Sequence, residues 1–99
     1  MTAETPTLWP AMWHLDPSHG YLCVPLASCV GVRVSEYSFR DDRAGLAYLE
    51  EDCDAWAWAE AHPAHDLREI PATLYHDDLA PCRSLPRFDP TAIMLGGAP

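Results

Sequence analysis

The sequence predicts a small α+β domain, with three to five antiparallel strands and one main helix, about residues 53–62, packed on one face. Three observations lead there. Ninety-nine residues leave room for one core and little more. Ten prolines and five glycines interrupt the chain too often for a long helical bundle or a coiled coil. Between them lie short apolar segments, some alternating at period two, and one alanine-rich run of helical length. Residues 1–90 are therefore read as one domain, and 91–99, ending Gly96-Gly97-Ala98-Pro99, as a flexible tail.

Residues 1–7 read as a frayed leader. Leu8 to Leu15 carries Trp9 and Trp13 and is expected as an edge strand or an irregular cap. Asp16-Pro17-Ser18-His19-Gly20 has the chemistry of a tight turn, with proline pre-setting φ and glycine free to take a positive one. Tyr21-Leu22-Cys23-Val24 then reads as a short buried strand. Pro25 suits a first helical turn, and Leu26, Cys29 and Val30 share a face, so a short helix is expected near 25–30, with Gly31 at its end. Val32-Arg33-Val34 and Tyr37-Ser38-Phe39-Arg40 alternate as half-buried strands do. The turn Asp41-Asp42-Arg43-Ala44-Gly45 joins them to Leu46-Ala47-Tyr48-Leu49-Glu50, giving an antiparallel hairpin. Cys53 to His62 is the helix, with Asp52 as its N-cap, Asp54 in its first turn and Pro63 beyond its end. After Pro63 a single strand is expected around Ala72 to Tyr75, and Pro81, Pro86 and Pro90 keep the rest irregular.

Charge narrows the function classes. Fifteen acids against six arginines give a net charge of −9, which opposes a charge-driven grip on DNA, RNA or an anionic membrane. The expected partner is a protein with a basic surface, with no direct nucleic acid and no membrane; a homodimer built from a strand edge and an exposed indole is the alternative. The N-terminus shows no basic and apolar pattern of a signal peptide, so a cytoplasmic setting is expected, with Cys23, Cys29, Cys53 and Cys82 as reduced thiols.

The acids cluster. Asp41 and Asp42 fall at the hairpin tip, while Glu50, Glu51, Asp52 and Asp54 fall at the strand end and helix start, with Glu60 further along the helix. The strand between the two groups is about 17 Å long, so the carboxylates could occupy phosphate-like positions against a basic groove. A solvated face that maintains solubility is the bland reading of the same acids. Trp56 and Trp58 lie about 200° apart on a helix, so only one fits the core stripe. Trp56 shares a face with Cys53, Ala57 and Glu60; Trp58 falls on the other side and is the candidate interface anchor, unless the loop after Pro63, residues 9–13 or the C-terminal segment cover it. The partner-binding set is thus Asp41, Asp42, Glu50, Glu51, Asp52, Asp54, Trp58 and Glu60.

Three segments, Ser18-His19-Gly20-Tyr21-Leu22, Tyr37-Ser38-Phe39 and Tyr48-Leu49-Glu50-Glu51-Asp52-Cys53-Asp54-Ala55, resemble small uncharacterised proteins of phages and other mobile elements. The resemblance covers about residues 18–56. It implies an accessory or anti-defence role, such as an anti-CRISPR-like or anti-restriction-like inhibitor that binds and disables a host component.

No catalytic residues, no cofactor and no metal site are assigned. Ser18, His19 and Asp16 are better explained as turn chemistry, since neighbours in a tight turn point apart. Cys53 at a helix start would gain acidity from the dipole, but Glu51, Asp52 and Asp54 oppose it. Glu50 and Glu51 make a poor acid/base pair because adjacent strand residues point to opposite faces. No His/Cys spacing reproduces a structural zinc motif, which leaves only a site assembled across the fold, such as Cys23 and Cys53 with a histidine, or a thiol-dependent activity, as the alternative chemistry.

Overall fold

The computed structural model describes residues 8–76 and 78–89. Five strands, β1 (Met12–Leu15), β2 (Gly20–Pro25), β3 (Phe39–Asp41), β4 (Leu46–Glu50) and β5 (Ala72–Leu74), form one sheet in the order β3-β4-β2-β1-β5. Three of its pairings are antiparallel; β1 with β5 is parallel, in register Trp13 with Ala72 and Leu15 with Leu74. The single α-helix, α1, runs Asp54–Ala61. The result is the small α+β fold expected, and the leader 1–7 and tail 91–99 lie outside the described residues.

Strand alternation sorts the side chains. Leu22, Val24, Ala47 and Leu49 point to the face that carries α1 and join Ala55 and Trp58 in the main core. Tyr21 and Phe39 point the other way and pack on Ala80 and Cys82 of the C-terminal segment. The sheet is therefore covered on both sides, by a helix on one and by irregular chain, including a 3₁₀ turn at Pro81–Ser84, on the other.

Several elements differ from expectation for identifiable reasons. β1 is internal, because β5 pairs along its outer side: the Trp13 amide donates to the Pro71 carbonyl, and the Tyr75 amide to the Leu15 carbonyl. Val32 and Val34 are buried around exposed Arg33, as alternation requires, yet their segment joins no strand. The outer edge of β3 is taken instead by Pro86 to Phe88, through Arg40 N–H to the Pro86 carbonyl and Phe88 N–H to the Ser38 carbonyl. The short helix near 25–30 is a 3₁₀ turn, Leu26–Cys29, followed by Gly31 at φ +79°, a conformation costly to any residue with a Cβ. Asp52 does not cap α1. Cys53 occupies that position without a side-chain cap bond.

The first helical residue, Asp54, turns its carboxylate inward. It accepts from the Ser35 amide at 3.1 Å, from the Ser35 hydroxyl at 2.6 Å and from the Ser38 hydroxyl. Ser38 in turn accepts from the Glu50 amide at 2.8 Å, so one wholly buried hydroxyl ties the end of β4 to the start of α1. Ser38→Ala would strand a buried N–H and remove a charged hydrogen bond. It is expected to cost about 2 kcal/mol in urea unfolding, and a loss indistinguishable from a surface substitution would contradict this role.

Candidate functional site

The corner between β4 and α1, residues 51–53, separates two surface hollows, and Asp52 lines both. The first, about 290 Å³, is bounded by Trp13, Glu51, Asp52, Trp56, Leu67 and Arg68. Its floor is held by Trp13, whose indole N–H donates to the Leu67 carbonyl at 2.9 Å. Arg68, which also lines this hollow, is bound to Asp66 at 3.1 Å, and among the described residues no cation pairs with Glu51 or Asp52. The second hollow, about 350 Å³, is lined by His19, Tyr21, Glu50 and Cys53 together with Arg83 and Arg87.

The structure divides the eight residues singled out from the sequence. Trp58 is 0% exposed and Trp56 58%, so the solvent-facing indole is Trp56. Trp58 is sealed by the rings of His62 and His65, at centroid distances of 4.6 and 4.8 Å, and its N–H donates to the Ser28 hydroxyl. The loop after Pro63 supplies that cover, helped by Trp9, whose amide donates to His65 Nε2 at 3.0 Å. Glu50 and Asp54 are also buried and serve internal bonds. At the hairpin tip, Asp41 accepts the Arg43 and Ala44 amides of its own turn, and Asp42 is paired with Arg40 at 2.8 Å. Glu51, Asp52 and Glu60 remain accessible without an ion pair among the described residues. Glu60 stands one helical turn beyond Trp56, on the same face. Of these, Glu51 and Asp52 share a hollow with Trp56, and Glu60 shares only the helix face of Trp56.

Sequence reasoning placed Trp56 correctly opposite Trp58 but gave the exposed role to the wrong ring. It also passed over Trp13 and Leu67 as walls of a hollow. Only their apolar character was visible, and 54 positions separate them along the chain.

All four thiols are held above the ordinary thiol value. Burial raises the Cys29 thiol to about 11 and that of Cys82 to about 12. Exposed Cys53 is likewise held above the ordinary thiol value, first by desolvation; the Ser35 hydroxyl opposes this, and the Asp54 and Glu50 carboxylates add to the rise. Burial leads the carboxylates in this, and the thiolate is disfavoured at neutral pH. Among the described residues no helix is long and apolar enough to cross a membrane. No family model, curated protein or solved structure matches the chain.

Proposed function

We propose that the protein is a non-enzymatic, acidic binding module that docks the Glu51–Asp52–Trp56–Glu60 surface onto a basic, nucleic-acid-binding face of a protein partner. The observation that carries this reading is Trp56, 58% exposed beside a hollow whose wall bears two unpaired carboxylates. An exposed indole costs solvation unless a partner covers it, and tryptophan is the residue most enriched among interface anchors. The adjacent carboxylates fit an arginine or lysine of the partner, which could lie against the indole while its charge meets Glu51 and Asp52. Such a docking mode accords with an inhibitor that occupies a nucleic-acid-binding surface, the role that the resemblance to mobile-element proteins implies.

The test is capture of a partner from the source cells, followed by affinity measurement on the recovered component across a salt series. Trp56→Ala is expected to weaken binding by at least roughly thirtyfold, the loss typical of a central anchor. Glu51→Gln with Asp52→Asn should chiefly slow association and flatten the salt dependence. Affinity unchanged in both variants and at all salt concentrations would overturn the proposal, and so would a concentration-dependent dimer that buries Trp56 against a second copy.

A further inference from the structure

We propose that His19, Glu50 and Glu51 form a binding site for a divalent first-row transition-metal ion at the edge of the larger hollow. One ligand atom from each residue lies within 4.8 Å of the other two. The two carboxylates come together because β4 ends at Glu50: the chain turns there, so Glu51 escapes the strand alternation that would have sent it to the opposite face. His19 arrives from the β1–β2 turn, whose backbone is fixed by Asp16 accepting the Ser18 and His19 amides at 2.9 Å each. The cluster thus draws on two distant chain segments held by the sheet, with Tyr21 directly across from Glu50.

One further observation points to a cation, and a second shows how the carboxylate comes to lie there. Glu50 is only 9% exposed and lines the hollow, yet all its side-chain hydrogen bonds fall on Oε2, from the Asp52 amide at 2.9 Å and the Cys53 thiol at 3.5 Å. Among the described residues its Oε1 has no partner, and neither Glu50 nor Glu51 has an ion pair. Two carboxylates this close, one of them largely buried, repel each other unless positive charge lies between them. Gly20 supplies the second observation: a Cβ at that position would stand 2.7 Å from Glu51 Oε2, so the missing side chain is what lets this carboxylate lie beside the turn that carries His19. The arginines lining the same hollow are otherwise engaged, Arg83 with Asp16 at 3.3 Å, and Arg87 with the Glu36 carbonyl and the Phe39 ring.

One imidazole with two carboxylates suits zinc or manganese(II) better than calcium or magnesium, which favour all-oxygen shells. Three protein ligands leave coordination positions open to water or to an anionic ligand in the hollow. Glu51 also belongs to the docking surface, so a bound ion would reduce the charge offered there.

The experiment uses the full chain, purified without a histidine tag and stripped with chelator. Manganese(II) chloride is titrated and free ion followed by electron paramagnetic resonance; zinc chloride is titrated by calorimetry. One ion per chain is expected for each metal. His19→Ala and Glu51→Gln should each weaken binding by at least roughly tenfold, with unchanged circular dichroism in the metal-free state. Glu60→Gln and Trp56→Ala should bind metal as the parent does, which separates this site from the docking surface. Absence of stoichiometric binding at millimolar ion, or an equal loss in Glu60→Gln and His19→Ala, would overturn the proposal.

Discussion

Trp58→Ala is expected to remove about 3–5 kcal/mol of unfolding free energy. A domain of this length has on the order of 5–15 kcal/mol in total, so the variant should lose roughly a fifth or more of its stability. The reasons are local. Trp58 is fully buried at the centre of the contact between α1 and the sheet, and it contacts His62 and His65 at either side of the turn after the helix. Its truncation opens a cavity that His65 and Trp9, themselves tied together, cannot easily fill. It also removes the indole N–H from the buried Ser28 hydroxyl, 30 positions away. Trp58→Phe keeps most of the volume and should cost less, about 1–2 kcal/mol. Trp56→Ala, two positions along but solvent-facing, should stay within about 0.5 kcal/mol of the parent. Urea unfolding of the three variants measures this order. Similar losses for Trp56→Ala and Trp58→Ala would mean that the two indoles have been assigned to the wrong sides of the helix.

That pair also marks where sequence reasoning stops. The 200° separation follows from helical geometry alone, but which side meets the sheet depends on what else covers the helix. Alanines 55, 57, 59 and 61 run through α1 and define no strong apolar stripe, so the choice was left to His62, His65 and Trp9, whose positions depend on long-range contacts. The β3–β4 hairpin was legible because alternation and turn chemistry agree, and Gly45 takes φ +70° at its turn. β5 is three exposed residues paired in parallel, and its location was legible from the punctuation around it although its partner was not. The carboxylates were legible as a cluster but not as individuals. Burial of Glu50 and Asp54 is decided by Ser35, Ser38 and the turn at the end of β4, and none of these has a signature in a charge pattern.

Asp16 provides the second large effect, and a pH dependence with it. Its side chain is wholly shielded although it sits close beneath the surface. Oδ1 accepts the Ser18 and His19 amides, whereas Oδ2 accepts the Ala80 amide at 2.8 Å and pairs with Arg83 at 3.3 Å. One carboxylate therefore closes the β1–β2 turn and pins the C-terminal segment, more than 60 positions away, to the sheet face where Cys82 and Ala80 pack. Burial by itself would raise its pKa, but the three amides and the guanidinium outweigh that and hold the carboxyl well below the ordinary range. Because the folded protein binds the proton more weakly than the unfolded chain does, the contribution of Asp16 is fully present above the unfolded value of about 4 and declines as pH falls below it. Asp16→Asn keeps an acceptor for the turn amides but loses the charge facing Arg83 and turns N–H groups toward the Ala80 amide. It is expected to cost about 2–3 kcal/mol at neutral pH. The gap between parent and variant should then narrow below pH of about 4, by up to roughly 1.4 kcal/mol per pH unit, since a protonated Asp16 is itself a neutral side chain. Comparing the two proteins at each pH cancels the common titration of the other carboxylates and isolates this one. A gap that stays constant from neutral to acid pH would show that Asp16 stabilises through shape alone, and a gap that widens on acidification would reverse the assigned direction of its shift.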